Sequence, residues 1–350
     1  MANEISTENV RTWIAGFQKK FVPSKFLHST LFGTNITFKG EEVLMDYKKG
    51  GVKMAPFAVK GSNVIVGRDG FKTLRFKPPM LAPARIIDIP VLEQRAFDEN
   101  PLNPMSEAEK AARYRAEDFA DMRDMIDRRL EWEAAQLLIN GKFEAKGYAD
   151  DGSLQVTDTI TIDGWDQTKE LTGDDAWTNT KADIYEQINE LRVEMSKKYC
   201  APTMLIANST TIAKFLKNES LHEKMVIPKD ASFATIVPQV VNPEITRYAV
   251  LTPGNIEVYG YDGIYVDDED SQVKSLIPDG YIVLTRPGIG RMLSGAITQY
   301  MEDGQAHTFP GMYVPKEVVD VAKDIDTISL RSRTVPCPLD VDSWYTVKVF

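Results

Sequence analysis

Residues 106–141, SEAEKAARYRAEDFADMRDMIDRRLEWEAAQLLING, carry the strongest structural signal in the chain. Ser106 and Glu109 stand at the spacing of a capping box, in which the serine hydroxyl accepts the backbone N–H three residues on and the glutamate accepts that of the serine. Gly141 supplies the left-handed residue that ends a helix. The spacing predicts one helix of about 34 residues, a rod about 50 Å long at ~1.5 Å per residue. Ala112, Ala116, Phe119, Met122, Ile126, Leu130, Ala134 and Leu137 recur at three and four and define an apolar face. Glu117, Asp121, Asp124 and Glu131 fall on the opposite side and predict an acidic stripe facing outward. Arg123 sits inside the apolar face, as a surface arginine laying its stem over apolar neighbours or as half of a buried ion pair.

Upstream of the rod the pattern is weaker. Residues 1–40 mix Phe17, Phe21, Phe26, Leu27, Leu31 and Phe32 with polar spacers and show no sustained period, which predicts an arm lying on something else. From 43 to 91 the runs become strand-like, as in 64–66 and 86–91, and are broken by glycines and Pro78-Pro79. A long hairpin follows, with too few large apolar residues to fold alone. The arm and hairpin are therefore expected to be mobile over 1–90 in a lone subunit and to order on a neighbour.

Charge is distributed unevenly. The chain of 350 residues has a net charge of −10, with 43% hydrophobic and 26% charged residues. Within 47–87, however, nine Lys and Arg, among them Lys60, Arg68 and Lys72, face the single acid Asp69. Such a stretch can touch nucleic acid through phosphates, with Phe57 and Phe71 available to stack on bases, but it matches no nucleic-acid-binding module and the rest of the chain is acidic. The N-terminal segment lacks the basic start and apolar centre of a secretory signal, and no apolar run reaches the length of a membrane span, so synthesis in a cytosol and no membrane contact are expected. Cys200 and Cys337 match no metal or redox spacing and are read as reduced, buried thiols.

Downstream, 154–162 alternates like a strand and 163–179 is polar loop. A helix after Thr180 carries Ile184, Ile188, Leu191 and Met195 on one face, 203–207 is a buried strand, and Asn208 caps a helix with Ile212, Phe215 and Leu216. Short strands are expected at 235–241, 247–251, 256–259, 264–266, 281–285 and 343–350. Helix, strand and helix interleaved in this way give a mixed α+β layer.

Catalytic spacings are missing. His28, His222 and His307 are scattered, and the sequence has no H-E-x-x-H, no G-x-S-x-G and no Gly-rich loop ending in G-K-S/T. Gly288-Ile289-Gly290 reads as a turn. Asp267, Asp268, Glu269 and Asp270 form an acidic hairpin tip whose spacing is not that of an EF-hand calcium loop, and a solvated tip is expected. An enzyme or metal-binding protein would have to build its site from Asp262, Asp267, Asp268 and Asp270. No cofactor is expected.

Several strings resemble the lambda-type tailed-phage major head protein family, in the same order and over most of the chain. They are Met122-Arg123-Asp124, Glu131-Trp132-Glu133-Ala134 and Gly141-Lys142-Phe143 on and after the rod, then 258–266, 276–280 and Val283-Leu284, which look like the family's strand, acidic hairpin, Pro-Asp turn and return strand. The resemblance implies the tailed-phage major capsid fold (HK-ninety-seven type): an N-terminal arm at 1–45, an extended hairpin loop at 46–88, a peripheral domain at 89–175 and 291–334 with its spine helix at 106–140, and an axial domain at 176–290 and 335–350. It further implies a non-enzymatic subunit of the virion capsid, assembled in the host cytoplasm into hexamers and pentamers of an icosahedral shell. That shell would enclose double-stranded DNA without sequence-specific binding, with a scaffolding protein, a portal and a decoration protein as partners. In this fold the hairpin crosses a neighbouring subunit near its spine helix. Lys60, Arg68 or Lys72 is therefore expected to face Glu117, Asp121, Asp124 and Glu131 across an interface.

Overall fold

The computed structural model describes residues 25–40, 43–47, 72–94, 105–148, 154–198, 200–225, 234–252, 254–301, 304–320 and 322–350. Most of the expected arm (1–24) and the middle of the expected hairpin (48–71), with Lys60 and Arg68, lie outside the described residues.

The rod is present as Glu107–Asn140, 34 residues long. Ser106 and Glu109 make both reciprocal bonds of the capping box, Ser106 N–H donating to Glu109 Oε2 at 2.9 Å and Glu109 N–H to Ser106 Oγ at 3.3 Å. Gly141 closes the helix at φ 65°, and any Cβ there would run into the Trp165 ring. Burial along the helix departs from the simple two-face reading. Ala112 and Ala116 on the expected apolar face are exposed, whereas from Met122 onward the helix is buried on several sides, Asp127, Glu131 and Glu133 included. The helix packs against the helix Phe26–Leu31 and the strands Lys142–Tyr148, Ile325–Arg331 and Thr334–Pro338, and the residues it adds to the buried core run from Met122 onward.

Beside this half stands a seven-stranded sheet in the order Thr168–Glu170, Tyr345–Lys348, Tyr281–Thr285, Met204–Ala207, Ile256–Tyr261, Ile245–Leu251, Ala234–Asn242. Strand alternation splits the apolar residues between two cores. Met204, Ile206 and Val283 point to the side of the long helix, with Leu130, Leu137 and Trp344; Leu205, Ala207, Ile282 and Leu284 point the other way, with Ile188, Leu191, Ile212 and Phe215. The covering helices Ile184–Lys197 and Ser209–Leu216 start where Asp183 and Asn208 accept the N–H of Glu186 and Thr211.

Two three-stranded sheets are built from distant segments. Thr34–Phe38 runs parallel to Gly290–Gly295, which pairs with Thr334–Pro338. Ala84–Asp88 pairs with Ile325–Arg331, which pairs with Val314–Asp320. The extended pairing expected over 46–88 is thus confined, among described residues, to Val43–Tyr47 against Lys72–Phe76; 84–88 belongs to another sheet, and 89–93 is a helical turn capped by Asp88 rather than strand. Thr168–Glu170, expected in the polar loop, lies in the same sheet as 204–207, and 334–338 pairs with 290–295, so the sheets cross the expected domain limits at 175 and 334. Among the described residues no helix is long and apolar enough to cross a membrane.

Candidate assembly surfaces

Of the expected acidic stripe, Glu117 and Asp121 are exposed and Asp124 is half-buried. Glu117 pairs with Arg113 one turn away at 2.8 Å. Glu131 does not belong to a surface: it is 1% exposed and accepts the Leu27 N–H at 2.7 Å, the His28 N–H at 2.9 Å and the Tyr261 hydroxyl at 2.8 Å, with His28 Nδ1 at 2.7 Å. One carboxylate thereby ties the short helix Phe26–Leu31, whose first orphan N–H groups it satisfies, to the long helix and the central sheet. Four residues earlier, buried Asp127 accepts the Tyr313 hydroxyl and pairs with Lys25 at 2.5 Å. Burial and that hydrogen bond push the Tyr313 phenol well above its ordinary range. Arg123 is exposed and lies over the Tyr313 ring, 5.2 Å from its centroid, which settles it as the snorkelling arginine.

At the acidic tip between Ile264–Val266 and Val273–Ser275, Glu269 and Asp270 are exposed and Asp267 and Asp268 half-buried, and each acid has a basic partner. Asp267 and Asp270 hold Lys274, Asp268 pairs with Arg129 of the long helix at 2.6 Å, and Glu269 pairs with Lys146 of the strand Lys142–Tyr148. The Lys274 ammonium holds the Asp267 carboxyl below its usual range. Asp262, the fourth acid of the enzyme or metal reading, instead accepts the Ser209 N–H at 2.9 Å at the start of another helix. These acids do not converge, and among the described residues no cluster of three acids, histidines or cysteines is arranged to hold a metal ion. Cys200 and Cys337 are buried and not joined in a disulfide, and burial pushes both thiols up to about 12.

Where the tip meets the long helix, three cavities share Arg129 and Trp132. The one on the outer side, about 470 Å³, is lined by Met125, Ile264, Val266 and Val273, all of them exposed. An open apolar groove rimmed by charged residues suits contact with another protein better than chemistry on a small molecule. Lys72 is placed only by its backbone, opposite Tyr47 in the ladder with Val43–Tyr47. Sequence reasoning missed Asp127 and Glu133 as buried acids, because a helical wheel reports direction and not depth.

The family model for phage major capsid protein E matches residues 9–349. The chain belongs to that family. Its fold is similar to that of a putative capsid protein of a prophage of E. coli CFT073, with a TM-score of 0.64 at 16% identity, covering 98% of each chain. It is also similar to the capsid of the cyanophage P-SCSP1u, at 0.54 and 8% identity over 96% of this chain and 91% of that one, and to the capsid of a native GTA particle, at 0.51 and 13% over 96% and 95%. At such identities the likeness speaks for the fold alone. No curated protein matches the chain. The subunit is a capsid-forming structural protein that self-assembles into multimeric shells and has the mixed helix and sheet fold of phage capsids.

Proposed function

We propose that the subunit forms pentamers and hexamers that close into an icosahedral phage head around double-stranded DNA, and that it carries no catalytic activity. The observation that carries this reading is the match to the phage major capsid protein E family along 9–349. The acids an enzyme would need are committed to Lys274, Arg129, Lys146 and the helix start at Ser209. Assembly takes place in the host cytoplasm with a scaffolding protein, a portal and a decoration protein. Residues 89–175 and 291–334 around the long helix serve as the peripheral domain, and the sheet region 176–290 and 335–350 as the axial domain, with the sheet borders adjusted as above. Lys60, Arg68 or Lys72 of one subunit faces Glu117, Asp121 and Asp124 of the next; this pairing is supported by the opposite charge of the two segments. Cryo-electron microscopy of particles from the expressed protein tests the reading. Closed shells with fivefold and sixfold capsomers are expected, and a protein that stays monomeric or dimeric at high concentration overturns it.

A further inference from the structure

The sheet built from Ala84–Asp88, Ile325–Arg331 and Val314–Asp320 ends on the last of these strands. Which of its backbone groups are spare follows from the ladder. Leu330 and Ser332 donate their N–H groups to Pro83 and Leu81, so the even-numbered residues of the middle strand serve Ala84–Asp88 and the odd-numbered ones serve Val314–Asp320. Their partners on the edge strand are Val314, Lys316, Val318 and Asp320. Pro315, Glu317 and Val319 therefore turn their backbone groups outward. Pro315 has no N–H to leave unpaired, and its carbonyl accepts the Gln299 amide at 3.2 Å. The N–H and C=O groups of Glu317 and Val319 have no partner among the described residues. A groove of about 910 Å³ runs along this edge, walled on its far side by Gln299, Tyr300 and Met301. Val318, Val319 and Tyr300 are 48%, 57% and 69% exposed, while Gln299 is buried with its Oε1 lacking a donor among the described residues. Spare backbone groups beside exposed apolar side chains are what an added strand covers.

We propose that Val314–Asp320 pairs antiparallel with the same strand of a second copy of this chain, across a two-fold axis centred on Val318. This rests on the reading of the chain as a shell subunit, of whose contacts it names one. The charges on the strand select both the partner and the register. With Val318 opposite itself, Lys316 stands opposite Asp320 at both ends, and Glu317 stands opposite Val319. Glu317 and Val319 then exchange the backbone bonds that each copy has free. A centre on Glu317 would set two glutamates face to face and spend a bonding position on Pro315, which has no N–H. Against the other edge strand, Ala84–Asp88, no antiparallel register that joins the outward rows sets Lys316 opposite an acid; it meets Arg85, Ile87 or Ile89. Lys316 has no ion pair among the described residues, and Asp320 pairs only with Lys323 at 3.4 Å in the turn that follows. Glu317 points to the other face of the sheet, where it meets Arg115 at 3.1 Å.

Cross-linking tests the register directly. A non-hydrogen-bonded antiparallel pair places its Cα atoms ~4.5 Å apart, within reach of a disulfide, whereas Val319 lies ~7–8 Å from the same residue of the second copy. Full chains assembled into shells and mildly oxidised should give disulfide dimers from Val318→Cys and about tenfold fewer from Val319→Cys. Both positions are exposed, and wild type, with Cys200 and Cys337 buried, supplies the blank. Lys316→Asp sets like charges opposite each other and should lower the association constant, read by sedimentation at low salt, about three- to tenfold. Lys316→Asp combined with Asp320→Lys restores opposite charges and should recover most of the wild-type value. A cross-link from Val319→Cys in place of Val318→Cys overturns the register. A cross-link between Val318→Cys and Ile86→Cys subunits gives the edge to the other strand and overturns the proposal, as does a double variant no better than Lys316→Asp alone. Closed shells without the Val318→Cys cross-link overturn this contact only, whereas wild-type chains that form no shells overturn the shell reading and this contact with it.

Discussion

Residues 107–121 and 122–140 belong to one helix and both carry many charges, yet most of the buried positions fall in the second part. In the first part Ala112 and Ala116 are exposed and Glu117 pairs with Arg113 in solvent. In the second, Asp127, Glu131 and Glu133 are as buried as Ile126 and Leu130. An exposed ion pair of this kind is worth about 0.2–1 kcal/mol, whereas a buried charge is tolerated only when donors surround it. The two parts therefore respond very differently to loss of a carboxylate. Within the buried part Glu131 and Glu133 differ again, since one has four donors and the other none among the described residues at its Oε2.

The largest effect is expected at Glu131. Glu131→Ala leaves the Leu27 and His28 N–H groups and the Tyr261 hydroxyl without their acceptor, and urea unfolding of the free subunit should register a loss of about 3–5 kcal/mol. A loss below about 1 kcal/mol would show that the junction of the short helix, long helix and sheet is held by apolar packing alone.

Glu133→Gln should act with the opposite sign. An unfolded carboxyl ionises near 4.5, while the folded one stays neutral up to about 8, so wild-type stability falls as pH rises through that window. The variant should be more stable than wild type at pH 8 by on the order of 4 kcal/mol and equal to it near pH 4. Equal stability at both pH values would place a donor on Glu133.

Reversing Lys60, Arg68 and Lys72 to glutamate should lower the yield of empty shells at low salt, by about 1–2 kcal/mol per interface, and Asp121→Lys with Asp124→Lys should restore part of it. Wild-type yield from the triple variant would turn those cations towards packaged DNA instead. The smallest effect belongs to Glu117→Gln, which should change subunit stability by less than about 0.5 kcal/mol in the same urea experiment.

The difference between the two halves of the helix also marks the limit of what was legible. Features set by residues a few positions apart were readable: the Ser106–Glu109 box, the Gly141 stop, the cap at Asn208, the helix face of Ile184, Ile188, Leu191 and Met195, and the hairpin around the acidic tip. The strands between 290 and 338 were not. Thr334–Pro338 is buried at every position and contains Pro336 and Pro338, which argue against a strand, and Val314–Asp320 is mostly exposed, so neither alternates. Their partners, 290–295, 325–331, 34–38 and 84–88, include segments hundreds of residues away.

By itself the sequence determined the long helix and its two ends, because capping and helical period depend on neighbours along the chain. The family strings on the helix and around the acidic tip pointed to a capsid subunit for the same reason of local order. Only the tertiary structure decided which acids are surface and which are core. Glu131 and Glu117 sit on helix faces that look alike in sequence, and what separates them is the arrival of Leu27, His28 and Tyr261 from far along the chain. Depth depends on those distant arrivals, which the pattern of a single helix does not encode.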